Sequence, residues 1–118
     1  MGIRDWLKQQ ADRRAHRSEQ AVLVHFKYGS TDLSTLVALE NALTLVIARA
    51  KAGEMDSNAI AADGSTGTLF MYGPSADRLF SVIRPTLETA PFLRGARVLL
   101  RYGPPEDGVE ERALTLAD

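Results

Sequence analysis

Apolar runs in this chain stop three times at Tyr-Gly, in VLVHFKYGS, TLFMYGP and VLLRYGPP. Each run is short and rich in branched and aromatic residues, the composition of a strand, and each glycine ends it. The first two stops pass into helical patterns through Ser30-Thr31-Asp32 and Pro74-Ser75. A Ser, Thr or Asp oxygen at such a place accepts a hydrogen bond from an otherwise unpaired N–H of the first helical turn. Strand, glycine turn and capped helix are therefore written twice. That echo restricts the fold severely and the chemistry hardly at all.

The first strand is expected over residues 21–28. Strict alternation puts Val22, Val24, Phe26 and Tyr28 on one face and Leu23, His25 and Lys27 on the other. A helix follows over 33–52, with Leu33, Leu36, Val37, Leu43, Val46, Ile47 and Ala50 supplying the spacing, Lys51 a basic last turn and Gly53 a stop. Strands over 57–62 and 67–72 flank Asp63-Gly64-Ser65-Thr66, a hairpin-turn composition. The second helix opens at Ser75 and turns Leu79, Phe80, Ile83 and Leu87 inward. Pro85 removes a backbone donor and is expected to kink or divide it, and Pro91 to mark its end. A strand over 96–102 leads through Gly103-Pro104-Pro105-Glu106-Asp107-Gly108 to a charged edge strand over 109–116.

At 118 residues the chain has the length of one domain. Residues 1–20 stand apart as a lead segment with five cations against three acids and with Ile3, Trp6, Leu7 and Gln10 at the spacing of a short amphipathic helix. Residues 21–118 form the domain proper. The order along the whole chain, α-β-α-β-β-α-β-β, resembles the split βαβ or ferredoxin-like superfold over residues 21–103. The resemblance is topological. It implies an α+β two-layer sandwich, both main helices on one face of an antiparallel sheet of order 2-3-1-4, with the fifth strand at the edge beside the fourth. That superfold hosts many unrelated activities, so it assigns none.

Composition narrows the classes. With 45% hydrophobic and 25% charged residues the chain is globular in type, and a net charge of −1 favours neither nucleic acid nor an anionic membrane. The absence of cysteine excludes disulfides, thiolate metal centres and cysteine nucleophiles. No run approaches the ~20 apolar residues of a membrane span, and the opening residues lack the apolar stretch of a signal peptide. A cytoplasmic location is the expectation, and heavy use of Ala, Arg, Gly and Asp with little Lys fits a GC-rich bacterial genome.

A sandwich with both helices on one side leaves the other sheet face bare. Alternation places Leu23, His25 and Lys27 there, with Arg97, Leu99 and Arg101 from the fourth strand. The third strand is apolar on both sides. Setting the three Tyr-Gly stops in phase turns Phe70 and Tyr72 to the helices and Leu69 and Met71 outward. The expected binding face is therefore Leu23, His25, Lys27, Leu69, Met71, Arg97, Leu99 and Arg101. So many apolar groups on central strands require a cover. A symmetric homodimer is the commonest one; the Trp6 segment or another protein are the others. The opposite phase sets Phe70 and Tyr72 among the cations, the layout of a single-strand nucleic-acid platform. STGTLFMYG lacks the basic-Gly-aromatic run of such platforms, so nucleic acid is not the expected partner.

Catalytic signals are sparse. His25 and His16 are the two imidazoles. His25 beside Lys27 could act as a base, although a half-buried sheet histidine with a polar partner is the simpler reading. Glu54 and Asp56 precede the second strand and Asp63 follows it, too far apart to form one carboxylate pair. DGSTG lacks the ligand spacing of a calcium loop and the lysine of a phosphate loop. Glu106, Asp107, Glu110 and Glu111 read as a solvated acidic edge, and Glu40 on the first helix would need a partner if buried. No cofactor or metal is expected. The sequence points to a non-enzymatic binding or regulatory protein using the open sheet face, alternatively to a ligand-binding or enzymatic dimer with a pocket near His25, Arg97 and Arg101, and as a lesser alternative to single-strand nucleic-acid binding through Phe70 and Tyr72.

Overall fold

The computed structural model describes residues 19–117. The amphipathic lead segment, with Trp6 and His16, lies outside the described residues except for its last two positions. The elements are β1 (Gln20–Lys27), α1 (Ser34–Ala50), β2 (Glu54–Ile60), β3 (Thr66–Gly73), α2 (Ala76–Leu87), a 3-10 turn at Pro91–Leu93, β4 (Arg97–Arg101) and β5 (Glu111–Thr115). The five strands form one antiparallel sheet of order β2-β3-β1-β4-β5. With two helices beside it, this is an α+β fold. No helix among the described residues is long and apolar enough to cross a membrane.

Local chemistry sets the boundaries. Ser75 caps α2 as expected, its Oγ accepting the Arg78 N–H at 3.2 Å. The cap of α1 is built one step earlier: Ser30 Oγ accepts the Asp32 N–H and Asp32 Oδ1 accepts the Ser34 N–H, both at 3.0 Å. Lys51 closes α1 in the left-handed conformation, φ 52°. Gly53 follows at φ 141°, where a Cβ would meet the Tyr72 carbonyl oxygen at 2.0 Å. Only glycine lets the chain pass that close to β3.

Three expectations are corrected. Pro85 does not divide α2, which runs on to Leu87; so near the C-terminal end it removes a single intrahelical bond. β2 begins at Glu54 rather than 57, and the register with β3 shifts between Met55 and Ser57. An extra residue of this kind breaks strict alternation, which hides the strand's start in the sequence. On α1 the buried stripe is Leu36, Leu39, Leu43 and Ile47, while Leu33 and Val37 are exposed. Apolar residues lie on nearly every side of this helix, so spacing alone does not single out the packed side.

The core lies between the helices and one sheet face. It joins Val22, Val24, Phe26, Leu69, Met71, Val98 and Leu100 to Leu36, Leu43, Ile47, Leu79, Ile83 and Leu87. Phe26, Tyr28 and Phe92 close one end of it, their ring centroids 5.2 to 6.2 Å apart, spacings at which tilted and edge-on rings attract. Leu69 and Met71 thus face the helices, contrary to expectation. Their cross-strand partners decide the matter: Val24 stands opposite Leu69 and Val22 opposite Met71. Directly opposed residues share a face, so β1 carries β3 into the helix-facing phase that its own symmetric hydrophobicity leaves open.

Candidate binding face of the sheet

Phe70 and Tyr72 occupy the face that Leu69 and Met71 were expected to fill. Register alone orders that face into three rows across the five strands. One runs Ala59, Thr68, His25, Arg97, Thr115; the next Ser57, Phe70, Leu23, Leu99, Ala113; the last Glu54, Tyr72, Ala21, Arg101, Glu111. The middle row is apolar across its three central strands. Of the expected residues, Leu23, His25, Lys27, Arg97, Leu99 and Arg101 are brought together here, while Leu69 and Met71 are not.

Burial divides the face. Ala21, Leu23, Phe70 and Tyr72 form a buried cluster separate from the main core, at 0, 4, 3 and 1% exposure, with Ala59 and Leu99 partly buried against it. Lys27 and Arg97 are exposed and His25 is half-buried. The accessible part of the expected site is therefore its Lys27–His25–Arg97 end.

His25 Nδ1 lies 2.9 Å from Thr68 Oγ1, its opposite number on β3. Burial, and then the Arg97 guanidinium opposite, hold the imidazole pKa below its ordinary value, with a backbone hydrogen bond at Gly67 pulling the other way. The ring is neutral at neutral pH, with one nitrogen committed to a buried threonine hydroxyl. This is a sheet histidine with a polar partner, the simpler of the two sequence readings.

Arg101 is buried at 4% exposure. Its Nε donates to the Gly103 carbonyl at 2.7 Å and its Nη2 to the Glu19 carbonyl at 3.3 Å. It fastens the start of the described chain to the loop after β4. Arg97 lies four residues away along the strand, about 13 Å at ~3.3 Å per residue, so His25, Arg97 and Arg101 do not converge on one ligand. A hollow of about 220 Å³ that the described residues form lies elsewhere, between the end of α2, the 3-10 turn and Leu116. No group of three or more His, Asp or Glu side chains among the described residues could hold a metal ion. Glu40, flagged for a possible partner, accepts a hydrogen bond from Asn58 Nδ2 at the surface.

Sequence reasoning missed Thr68 as a member of this face, and it placed Phe70 and Tyr72 here only in the alternative phase, which is the one the strand pairing adopts. One signal bore on the phase. Gly67 stands opposite Phe26, and a Cβ there would come within 2.4 Å of Ile60 Cδ1 and 2.8 Å of Phe26 Cζ. Glycine under an inward aromatic marks Gly67, and by alternation Leu69 and Met71, as helix-facing.

No protein-family model, curated protein or solved structure matches this chain.

Proposed function

We propose that the protein is a small, non-enzymatic binding or regulatory protein of the cytoplasm that works by association, with a second copy of itself or with another protein, through the second face of its sheet. The observation that carries this reading is the apolar row Phe70, Leu23 and Leu99, with Tyr72 beside it, on a face where no described helix lies. Sheet faces of that composition belong under a second layer. Lys27 and Arg97 at one end give such a contact a polar rim, the usual anatomy of an interface. An isologous contact between two copies is the simplest closed assembly. The βαββαβ core is read as ferredoxin-like on the support of strand order and of two helices packed on a single face.

Light scattering over a wide concentration range tests the reading in the wild type and in Leu99→Glu. Leu99 is half-buried, so a carboxylate there blocks apolar contact while its own head can reach water. The expected result is a mass that rises toward a dimer in the wild type and stays monomeric in the variant. Monomers throughout in both would refute self-association.

A further inference from the structure

Leu23, Phe70 and Tyr72 are 4, 3 and 1% exposed, yet among the described residues every member of their cluster belongs to the sheet itself. Both helices pack on the other face. Side chains stand roughly perpendicular to a sheet, and strand neighbours shield their flanks but not their tips. Hiding the tips takes a second layer about 10 Å away. These are exposures of a single chain, so that layer is not a partner molecule.

Residues 1–18 directly precede β1 in the sequence. Gln20 opens β1, and Arg101 grips the Glu19 carbonyl at the end of the face where Tyr72, Ala21 and Arg101 form a row. A helix of about 16 residues is ~24 Å long, and five strands span ~19 Å at ~4.8 Å spacing. The segment is long enough to cross the face. It carries five cations against two acids, and the Tyr72 row ends in Glu54 on one edge strand and Glu111 on the other. Ile3, Trp6 and Leu7 supply an apolar stripe.

We propose that residues 1–18 dock on this face of their own chain, Ile3, Trp6 and Leu7 seated over Phe70, Leu23 and Leu99, so that the surface is held by an intramolecular competitor. This rests on reading the face as the binding surface. A partner then gains the face by displacing the segment, and its apparent affinity is reduced by the fraction of chains in which the segment is released: about ten-fold if one chain in ten is open.

Trp6 is the single tryptophan of the chain, so its fluorescence reports on the segment without interference. In the native full-length protein, at concentrations where it is monomeric, acrylamide should quench Trp6 several-fold more slowly than in urea, and further dilution should leave that rate unchanged. Equal quenching in both states overturns the proposal. Protection that vanishes on hundred-fold dilution also overturns it, because the segment is then docked on a neighbour. Leu99→Glu should speed quenching while far-UV circular dichroism stays native; unchanged protection there places the segment elsewhere and sinks the idea. The double variant Ile3→Asp/Leu7→Asp should expose Trp6 and, with one chain in ten open in the wild type, lower the concentration for half-dimerisation about a hundred-fold, because both copies must release the segment. Exposure of Trp6 without any rise in mass supports the docking and counts against the binding reading, so the two failures remain distinct.

Discussion

Replacing Leu23 by alanine measures whether the second sheet face is covered. Leu23 lies between Phe70 on β3 and Leu99 on β4 and is 4% exposed. The substitution removes three carbons, worth about 0.8 kcal/mol each when fully buried, or ~2.4 kcal/mol of transfer energy. The cavity left behind raises the loss to about 3–5 kcal/mol. On an uncovered face the leucine would contribute little beyond its cross-strand contacts, ~0.2–1 kcal/mol. The two cases differ by about 2 kcal/mol or more, well beyond the error of a urea titration. With an m value of ~2 kcal/mol/M, a 3 kcal/mol loss lowers the midpoint by ~1.5 M, and Tm falls by roughly 12 °C at ~4 °C per kcal/mol for a domain of this size. Leu43→Ala, on the packed side of α1 at 0% exposure, provides the reference and should fall in the same range. A Leu23→Ala loss below ~1 kcal/mol at unchanged m would refute the argument that a second layer covers this face.

Two further measurements probe the site and its supports. His25 should titrate below 6.5, its ordinary value, because burial and Arg97 disfavour the charged ring. The unfolded chain then takes up the proton first as pH falls. Stability is therefore complete above 6.5, declines between 6.5 and the lower native midpoint, and is flat beneath both. NMR of the imidazole gives the midpoint directly, and one at or above 6.5 would contradict the assignment; His25→Gln should remove this part of the pH dependence. Gly64→Ala tests the clamp between the β2–β3 turn and the turn after β1. At φ 74° its Cβ would lie 2.2 Å from the Ser30 carbonyl oxygen, whereas Gly29 at φ 79° has open space around it. Both substitutions incur left-handed strain of ~1–2 kcal/mol. Only Gly64→Ala adds a backbone clash, so equal losses in urea unfolding would count against the clamp.

The legible part of the binding face comes from β1 and β4. Their alternation separates Val22, Val24, Phe26, Val98 and Leu100 from Leu23, His25, Arg97, Leu99 and Arg101, and both strands hold that phase. β3 was not legible in the same way. Leu69, Phe70, Met71 and Tyr72 are all apolar, so neither phase exposes a polar side chain, and the expectation followed the repeated Tyr-Gly stop rather than a physical asymmetry. The stops are equivalent in sequence but not in space. Tyr28 packs with Phe26 and Phe92 at one end of the main core, and Tyr102 donates to Asp77 Oδ1 at 2.7 Å, while Tyr72 lies in the cluster on the other face.

Arg101 shows a second limit. Sequence put an arginine on an accessible face, yet the residue is buried and its guanidinium donates to the backbone carbonyls of Gly103 and Glu19. A charged group can be withdrawn from water when donors and acceptors converge on it. That convergence joins residues 19, 101 and 103, and no local pattern announces it.

By itself the sequence determined the described elements and their order, because periodicity, caps and turn residues are local and each acts within a few positions; the neighbours of each strand followed from the topology that this order resembles. It also determined the two-sided character of β1 and β4, where polar and apolar groups alternate and only one phase buries oil rather than charge. Tertiary structure alone decided which side of β3 meets the helices, where the ends of β2 and α1 fall, and which face residues are hidden. Those outcomes depend on pairing between strands distant in sequence and on layers stacking over them, and a strand with equal hydrophobicity on both sides takes its orientation from its neighbours.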